Sequence, residues 1–324
     1  MSKIKSNIPS DGIKGLIENL TSDITSGFIV FLLALPLSLG IAKASEFPPL
    51  MGLVTAIIGG VIVSFFSGSK LTIKGPAAGL IVIVIGAVNE FGGGETGWHL
   101  ALGAIFVASI IQILFGVFKL GKLVDFFPLS TVHGMLAAIG IIIIIIKQIP
   151  VLLDIDPILT KGKSIIEHIT LLPSFLQHLD PKASLIGLIS LLIMMGWNQA
   201  NIPFLSKIPA PLVVLFVAIP AQFMLDFNHT DPTNALVDTG SLINKIHLNV
   251  SFDGIKQLGV FSKFVVMFAL VGSLESLLTV KAIDMMDPYK RKSNPNKDLI
   301  AIGIGNCIAA IFGGLPMISE VARS

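Results

Sequence analysis

Cysteine is nearly absent: Cys307 stands alone, inside an apolar run. One thiol excludes an internal disulfide framework and a cysteine-based zinc site. Charge is scarce too, at 13% of residues, with 22 lysines and arginines against 20 aspartates and glutamates. The net charge of +2 is too small to argue for nucleic acid as a partner. The six histidines are scattered, and His168 and His178 share one connection without metal-ligand spacing, so they read as interface residues. No Ser/His pair or His/Asp cluster falls on neighbouring helix faces at mid-span, which speaks against an intramembrane enzyme. Gly92-Gly93-Gly94 lacks the strand and lysine of a phosphate loop and reads as a turn. Asn228-His229-Thr230 matches a glycosylation pattern so short that it recurs by chance. The first 23 residues are polar, with Lys3, Lys5 and Lys14, and the first apolar run is long enough to span, so no cleaved leader is expected.

The bulk of the chain is apolar. Of 324 residues 53% are hydrophobic, and the mean hydropathy is +0.87. A soluble domain of this size cannot hide that much apolar surface, so the expectation is an all-α polytopic membrane protein with lipid around it. Apolar runs predict spans over 24–42, 50–66, 76–88, 98–118, 129–146, 183–197, 210–225, 260–280 and 299–312, and a tenth that starts at Pro316. The third is short, and an extended piece over 69–74 precedes it. Residues 12–22 carry apolar positions at helical spacing and suggest a short amphipathic helix on the cytoplasmic surface, ahead of the first span. The polar connections 148–182 and 226–257 read as partly helical and partly extended.

Lysine and arginine set the orientation. With the N-terminus inside, the short inside loops hold most of them, and Lys290-Arg291-Lys292 is the strongest vote. The outside loops are acidic, with Glu90, Glu95, Asp154, Asp156, Asp226, Asp231 and Asp238. This sets the N-terminus inside; the expected location is a bacterial-type cytoplasmic membrane. An internal repeat is visible at an offset near 240 residues: Lys43-Ala44 closes the first span as Lys281-Ala282 closes the eighth, and Pro76 corresponds to Pro316. Seven spans lie between the two starts, and an odd number inverts the second copy.

Two interruptions fall at matching places, Gly75-Pro76-Ala77-Ala78-Gly79 and Gly313-Gly314-Leu315-Pro316. Proline lacks an N–H and fits the first position of a helix. Pro76 and Pro316 therefore read as helix starts inside the bilayer. Such a start presents N–H groups and a positive dipole end to an anion. Taken alone, Gly-Pro-Ala-Ala serves tight helix packing equally well. Two starts in corresponding positions favour a binding site.

The order Asp23, Leu35-Pro36, Ala42, then Gly75-Pro76-Ala77-Ala78, then Leu274-Glu275-Ser276-Leu277-Leu278-Thr279, Ala282 and Asp284, then Gly313-Gly314-Leu315-Pro316 and Ala322-Arg323-Ser324 resembles the SulP family of sulfate permease and prestin–pendrin type anion transporters. The resemblance runs from about residue 20 to the last residue. It implies a seven-plus-seven inverted-repeat transporter fold, here with about nine spans and the start of a tenth. It also implies core and gate domains, a following cytoplasmic STAS domain, and homodimers of the full-length protein. Division follows as a cytoplasmic segment 1–22, a first repeat 23–225, an extracytoplasmic connection 226–259 and a partial second repeat 260–324. The expectation is a chain cut within its second repeat, without the STAS domain, that does not transport alone.

The resemblance puts a small inorganic anion, such as sulfate or bicarbonate, between the two helix starts. That gives Pro76, Ala77, Ala78, Met317, Ile318 and Arg323 as anion-binding residues. Arg323 is two helical turns past Pro316 and can share a side with it. Glu275 sits mid-span, where burial disfavours a charged carboxylate and suits proton coupling. With Thr279 one turn on, it alternatively offers oxygen ligands to sodium. Coupling to Na+ or H+ is thus implied, and no cofactor. Lys74 adds positive potential on the inner approach or snorkels to the surface. Glu320, three residues before Arg323, is placed to pair with it. Where many relatives carry glutamine after the proline of the first span, this chain has Leu37-Ser38, so that contact is not carried over. The expected function is secondary active transport, by symport and alternating access. The alternatives are a nucleobase-type permease of the same fold and a non-transporting fragment.

Overall fold

The structure, a computed structural model, describes residues 10, 12–122, 130, 134, 137–138, 140–142, 144–160, 163, 165–197, 199, 210–225, 248–320 and 324. The chain forms two compact units. One takes Met1–His133 with Asp238–Ser324, the other Gly134–Val237.

The first unit opens with α1, Gly12–Ala44, one unbroken helix carrying Pro36 inside it. The short surface helix expected over 12–22 is therefore the first three turns of α1. Nothing in Thr21-Ser22-Asp23 forbids helical continuation, and the amphipathic turns extend the span. α2 runs from Pro49 to Phe66 and widens into a π-helical stretch at Ile58–Val63. β1 is Ile73–Pro76. A 3₁₀ turn, Ala78–Leu80, leads into α3, Ile81–Glu90. α4 is Gly94–Val117.

The second unit holds α5, Ile149–Leu152, α6, Pro157–Thr160, α7, Ile165–Phe175, α8, Pro181–Trp197, and α9, Ala210–Met224. Asp180 caps α8, its carboxylate accepting from the Lys182 and Ala183 amides at 2.7 and 3.0 Å. The partly helical character expected of 148–182 is present. The described residues of the fifth predicted span, 129–146, are helical and end in a π-helical turn, Ile144–Gln148; 226–247 lies outside the described residues, and 248–252 forms no strand.

The first unit resumes with a 3₁₀ turn, Asp253–Gln257, and α10, Leu258–Met286. α11, Pro295–Ile311, is capped by Asn294, which accepts from the Asn296 and Lys297 amides. β2, Met317–Glu320, closes the described chain apart from Ser324. Among the described residues, four helices are long and apolar enough to cross a membrane: Lys14–Ala44, Pro49–Phe66, Gly94–Val117 and Asp253–Met286.

The core of this unit is α4 against α11, through small residues. A side chain at Gly116 would come within 2.6 Å of the Asn296 carbonyl, and one at Gly303 within 2.9 Å of the Ser109 carbonyl. With apolar lipid on the outside, close backbone approach and polar bonds hold such helices together. Asn306 Nδ2 donates to Gln112 Oε1 across the pair at 2.9 Å, fully buried.

α11 ends at a left-handed glycine. Gly313 has φ +86°, its N–H reaches the Ala310 carbonyl at 3.3 Å, and the Gly314 N–H reaches Ala309 at 2.7 Å. That double bond pattern is a Schellman stop. It turns the chain into an extended segment, and Trp98 Nε1 holds the Gly313 carbonyl at 3.2 Å. Gly313→Ala should cost about 1–2 kcal/mol for the backbone alone, and its methyl would meet Asn249 and Trp98 inside 3 Å. Thermal unfolding in detergent reads the loss; an unchanged midpoint would remove the stop as a structural determinant.

Where a helix is expected to start at Pro316, residues 317–320 form a strand. Met317–Glu320 pairs antiparallel with β1 in the register Ile73↔Glu320, Lys74↔Ser319, Gly75↔Ile318 and Pro76↔Met317. Likewise Pro76 ends β1 and does not begin a helix, which starts two residues later. Proline excludes the helix interior but is equally at home at a strand end. Each proline marks the break correctly, and the pairing partner decides which structure fills it.

Candidate functional site

The two interruptions meet. Beyond the four-residue ladder, the Ala77 amide donates to the Pro316 carbonyl at 2.9 Å. Backbone left without a helix inside an apolar protein must find other partners. Here polar side chains from three helices supply them. Thr55 on α2 accepts from the Leu315 amide at 2.8 Å and donates toward its carbonyl. Asn306 on α11 accepts from the Met317 amide at 2.6 Å and donates to its carbonyl at 3.2 Å. Ser276 on α10 accepts from the Ser319 amide and bonds its hydroxyl, both at 3.1 Å. The wide turn of α2 brings Gly59 against β1, where a Cβ would sit 2.4 Å from the Lys74 carbonyl.

Beneath the ladder lies a buried ion pair. Lys74 Nζ is 2.9 Å from Asp298 Oδ1, both side chains 1% exposed. Lys74 also donates to Thr72 Oγ1. Asp298, in the first turn of α11, gathers further donors: the Ser67 hydroxyl at 2.9 Å, the Gly68 and Ser69 amides at 3.1 and 3.2 Å, and the Ser319 hydroxyl at 3.1 Å. One carboxylate thus ties β1, β2, α11 and the loop after α2 together. Lys74 therefore neither snorkels nor lends an uncompensated charge to the approach; its ammonium is spent on Asp298.

Glu275 stands at the start of the short helix. It is 4% exposed, its carboxyl takes the Gly79 amide, and a side chain at Gly79 would collide with it at 2.0 Å. Glu275 Oε2 has no hydrogen-bond partner among the described residues. Thr279, 2% exposed, follows one turn on, and Ser276 beside Glu275 is the residue that grips β2.

Of the residues expected from sequence, Pro76 and Ala77 lie directly against Met317 and Pro316, and Ala78 opens the 3₁₀ turn. Met317 and Ile318 are buried on β2. Of the backbone expected to await a ligand, the Ala77 amide holds Pro316 and the Met317 amide holds Asn306; the neighbouring Gly79 amide holds Glu275. Arg323, and with it the expected Glu320–Arg323 pair, lies outside the described residues; Glu320 is buried opposite Ile73. Thr55, Asn306 and Asp298 were not expected from sequence. The first two are polar residues inside apolar runs, a signal that sequence does carry. Asp298 falls just ahead of the predicted ninth span and resembles an interface residue. A cavity of about 770 Å³ lies between α1, α2 and β1, but its wall is largely apolar, with Val30, Phe31, Leu35 and Ile57, so it offers an anion few donors.

Comparison with known proteins agrees with this architecture. The sulfate permease family profile matches residues 20–324. The chain is 29% identical over 316 residues to the putative sulfate transporter YvdB of Bacillus subtilis, covering 95% of this chain and 56% of that protein. It is 26% identical over 302 residues to the bicarbonate transporter BicA of Picosynechococcus sp., covering 92% and 51%. The chain thus spans about half the length of the curated relatives it matches. Among solved structures, the transmembrane domain of a cyanobacterial BicA superposes with a TM-score of 0.76 at 24% identity, over 95% of this chain and 76% of that one. The overall structure of SLC26A9 gives 0.73 at 16% identity, over 95% and 50%.

Proposed function

The chain belongs to the sulfate permease family, and on that premise we propose that it is the anion-binding portion of a secondary active transporter for a small inorganic anion, sulfate or bicarbonate, in the cytoplasmic membrane. Its relatives are transporters, and it is not an enzyme. The observation that carries the reading is the meeting of the two interruptions, Ala77 on Pro316, with the Glu275 carboxyl on the Gly79 amide beside them. The anion sits at the amide end of the 3₁₀ turn, on Ala78 and the Gly79 amide that Glu275 releases, beside the paired backbone of Pro76, Ala77, Met317 and Ile318, with Arg323 completing the site. Small side chains at 77–79 let it approach, and backbone N–H groups bring no counter-charge.

Glu275 supplies the coupling. A charged carboxylate on the Gly79 amide occupies the donor that an anion needs and repels it. A proton, or a sodium ion held with Thr279, removes that repulsion and frees the amide. Anion and coupling ion then load together, as symport requires, and alternating access moves them. The repeats 23–225 and 260–324, joined by 226–259, an N-terminus inside and a homodimer of the complete protein belong to the same proposal. The nucleobase reading is not favoured, because the matched relatives are named as sulfate and bicarbonate transporters.

Isothermal titration of the purified chain with sulfate, bicarbonate and uracil tests this. One of the anions should bind, more tightly as pH falls or sodium rises. Glu275→Gln should bind it with little dependence on either, since the amide side chain is neutral throughout. Uracil binding in place of either anion, or an undiminished pH and sodium dependence in Glu275→Gln, would sink the respective part.

A further inference from the structure

Where α10 leaves the apolar layer, a pocket of about 540 Å³ opens between its last turns and the loop that succeeds it. Its inner wall is apolar: Leu277, Val280 and Met285. Its rim is basic: Lys281, Lys290, Arg291 and Lys292. Both carboxylates of this stretch are engaged in holding the loop. Asp284 accepts from the Ser293 amide and hydroxyl at 2.8 and 2.6 Å. Asp287 accepts from the Tyr289 and Arg291 amides and from Arg291 Nε, at 3.0, 2.9 and 2.8 Å. The Arg291 guanidinium, with these amide bonds, holds the Asp287 carboxyl at about 2, well below the usual carboxylate range. The clasp therefore stands throughout the neutral range. Arg291 also lies over the Tyr289 ring at 5.2 Å.

The clasp fixes the loop while leaving Lys290 and Lys292 exposed. Lys290 is held at φ +53°, a left-handed conformation that few non-glycine residues adopt and that recurs at binding turns. Met285 and Met286 are exposed alongside, at the end of a helix long enough to cross a membrane. Apolar wall, exposed methionines and cationic rim thus meet at the end of α10, where a helix long and apolar enough to cross a membrane gives way to a basic loop.

We propose that this pocket seats an anionic phospholipid, its phosphate between Lys290 and Lys292 and its upper acyl chain against Met285, with the buried Leu277 and Val280 closing the floor. The apolar wall selects a lipid over a free phosphate, and the excess of cations over the two engaged carboxylates selects an anionic headgroup over a zwitterionic one. The assignment is independent of the anion site between the two strands.

The test is thermal unfolding of the purified chain in neutral detergent, titrated with phosphatidylglycerol, with phosphatidylcholine of the same acyl chains, and with inorganic phosphate. Phosphatidylglycerol should raise the midpoint saturably, and the other two should not. Lys290→Gln/Lys292→Gln should unfold like the parent without lipid and need on the order of tenfold more phosphatidylglycerol for the same rise. Lys14→Gln, far along the chain and also exposed, should respond as the parent does. An equal response to phosphatidylcholine, the same rise with inorganic phosphate alone, an unaltered double variant, or an equal loss in Lys14→Gln would each overturn the assignment.

Discussion

Asp298→Ala should be the most damaging single substitution in the first unit, at about 5 kcal/mol or more. It removes one buried carboxylate on which five donors converge, from Lys74, Ser67, Gly68, Ser69 and Ser319. The Lys74 ammonium would be left buried with the Thr72 hydroxyl. Lys74→Met should cost less, about 3 kcal/mol, because Asp298 keeps its hydroxyl and amide donors. Lys74→Met/Asp298→Asn should recover most of that, since asparagine retains an oxygen for the loop amides and neither partner then carries charge. Unfolding of all three variants in detergent measures the order. If Asp298→Ala unfolds with the parent, the pair does not tie the strands to α11. If the double variant is no better than Lys74→Met, charge burial is not the cost.

Asn306→Leu should be nearly as severe for a different reason. Asparagine satisfies both the N–H and the carbonyl of Met317, at 2.6 and 3.2 Å, and also Gln112. Leucine has a similar size and no polar atom, so three buried groups lose their partner. At about 1–3 kcal/mol for each unsatisfied group, the loss is on the order of 3–9 kcal/mol. Because Met317 flanks the proposed anion, binding should weaken with stability. A variant that unfolds early yet binds sulfate or bicarbonate with the parent's affinity would separate β2 from the site.

The helices were legible because lipid-facing and core-facing residues alike must be apolar, and long runs show directly. The predicted eighth span, 260–280, falls inside Leu258–Met286, and the predicted second, 50–66, almost coincides with Pro49–Phe66. Helix ends were less legible: α1 begins at Gly12 because its amphipathic turns continue the span. The breaks at Pro76 and Pro316 were visible as local chemistry. Their strand character was not, because β1 exists only against β2, and a ladder between residues some 240 apart leaves no local trace. The same distance hides the ion pair. Lys74 and Asp298 each look like ordinary surface charges until the fold puts one on the other.

That distance has a consequence for biogenesis. A membrane chain is threaded into the bilayer from its N-terminus onward, and contacts between remote segments are slow to close. Thr55, Lys74 and Gly75 are synthesised long before Leu315, Ser319 and Ile318 emerge to meet them. Throughout that interval an uncapped lysine and a non-helical stretch must wait in or beside hydrocarbon, a setting that penalises both. The nascent protein is therefore most vulnerable to quality-control proteases while its second strand is still on the ribosome, and that vulnerability ends when the two strands zip together.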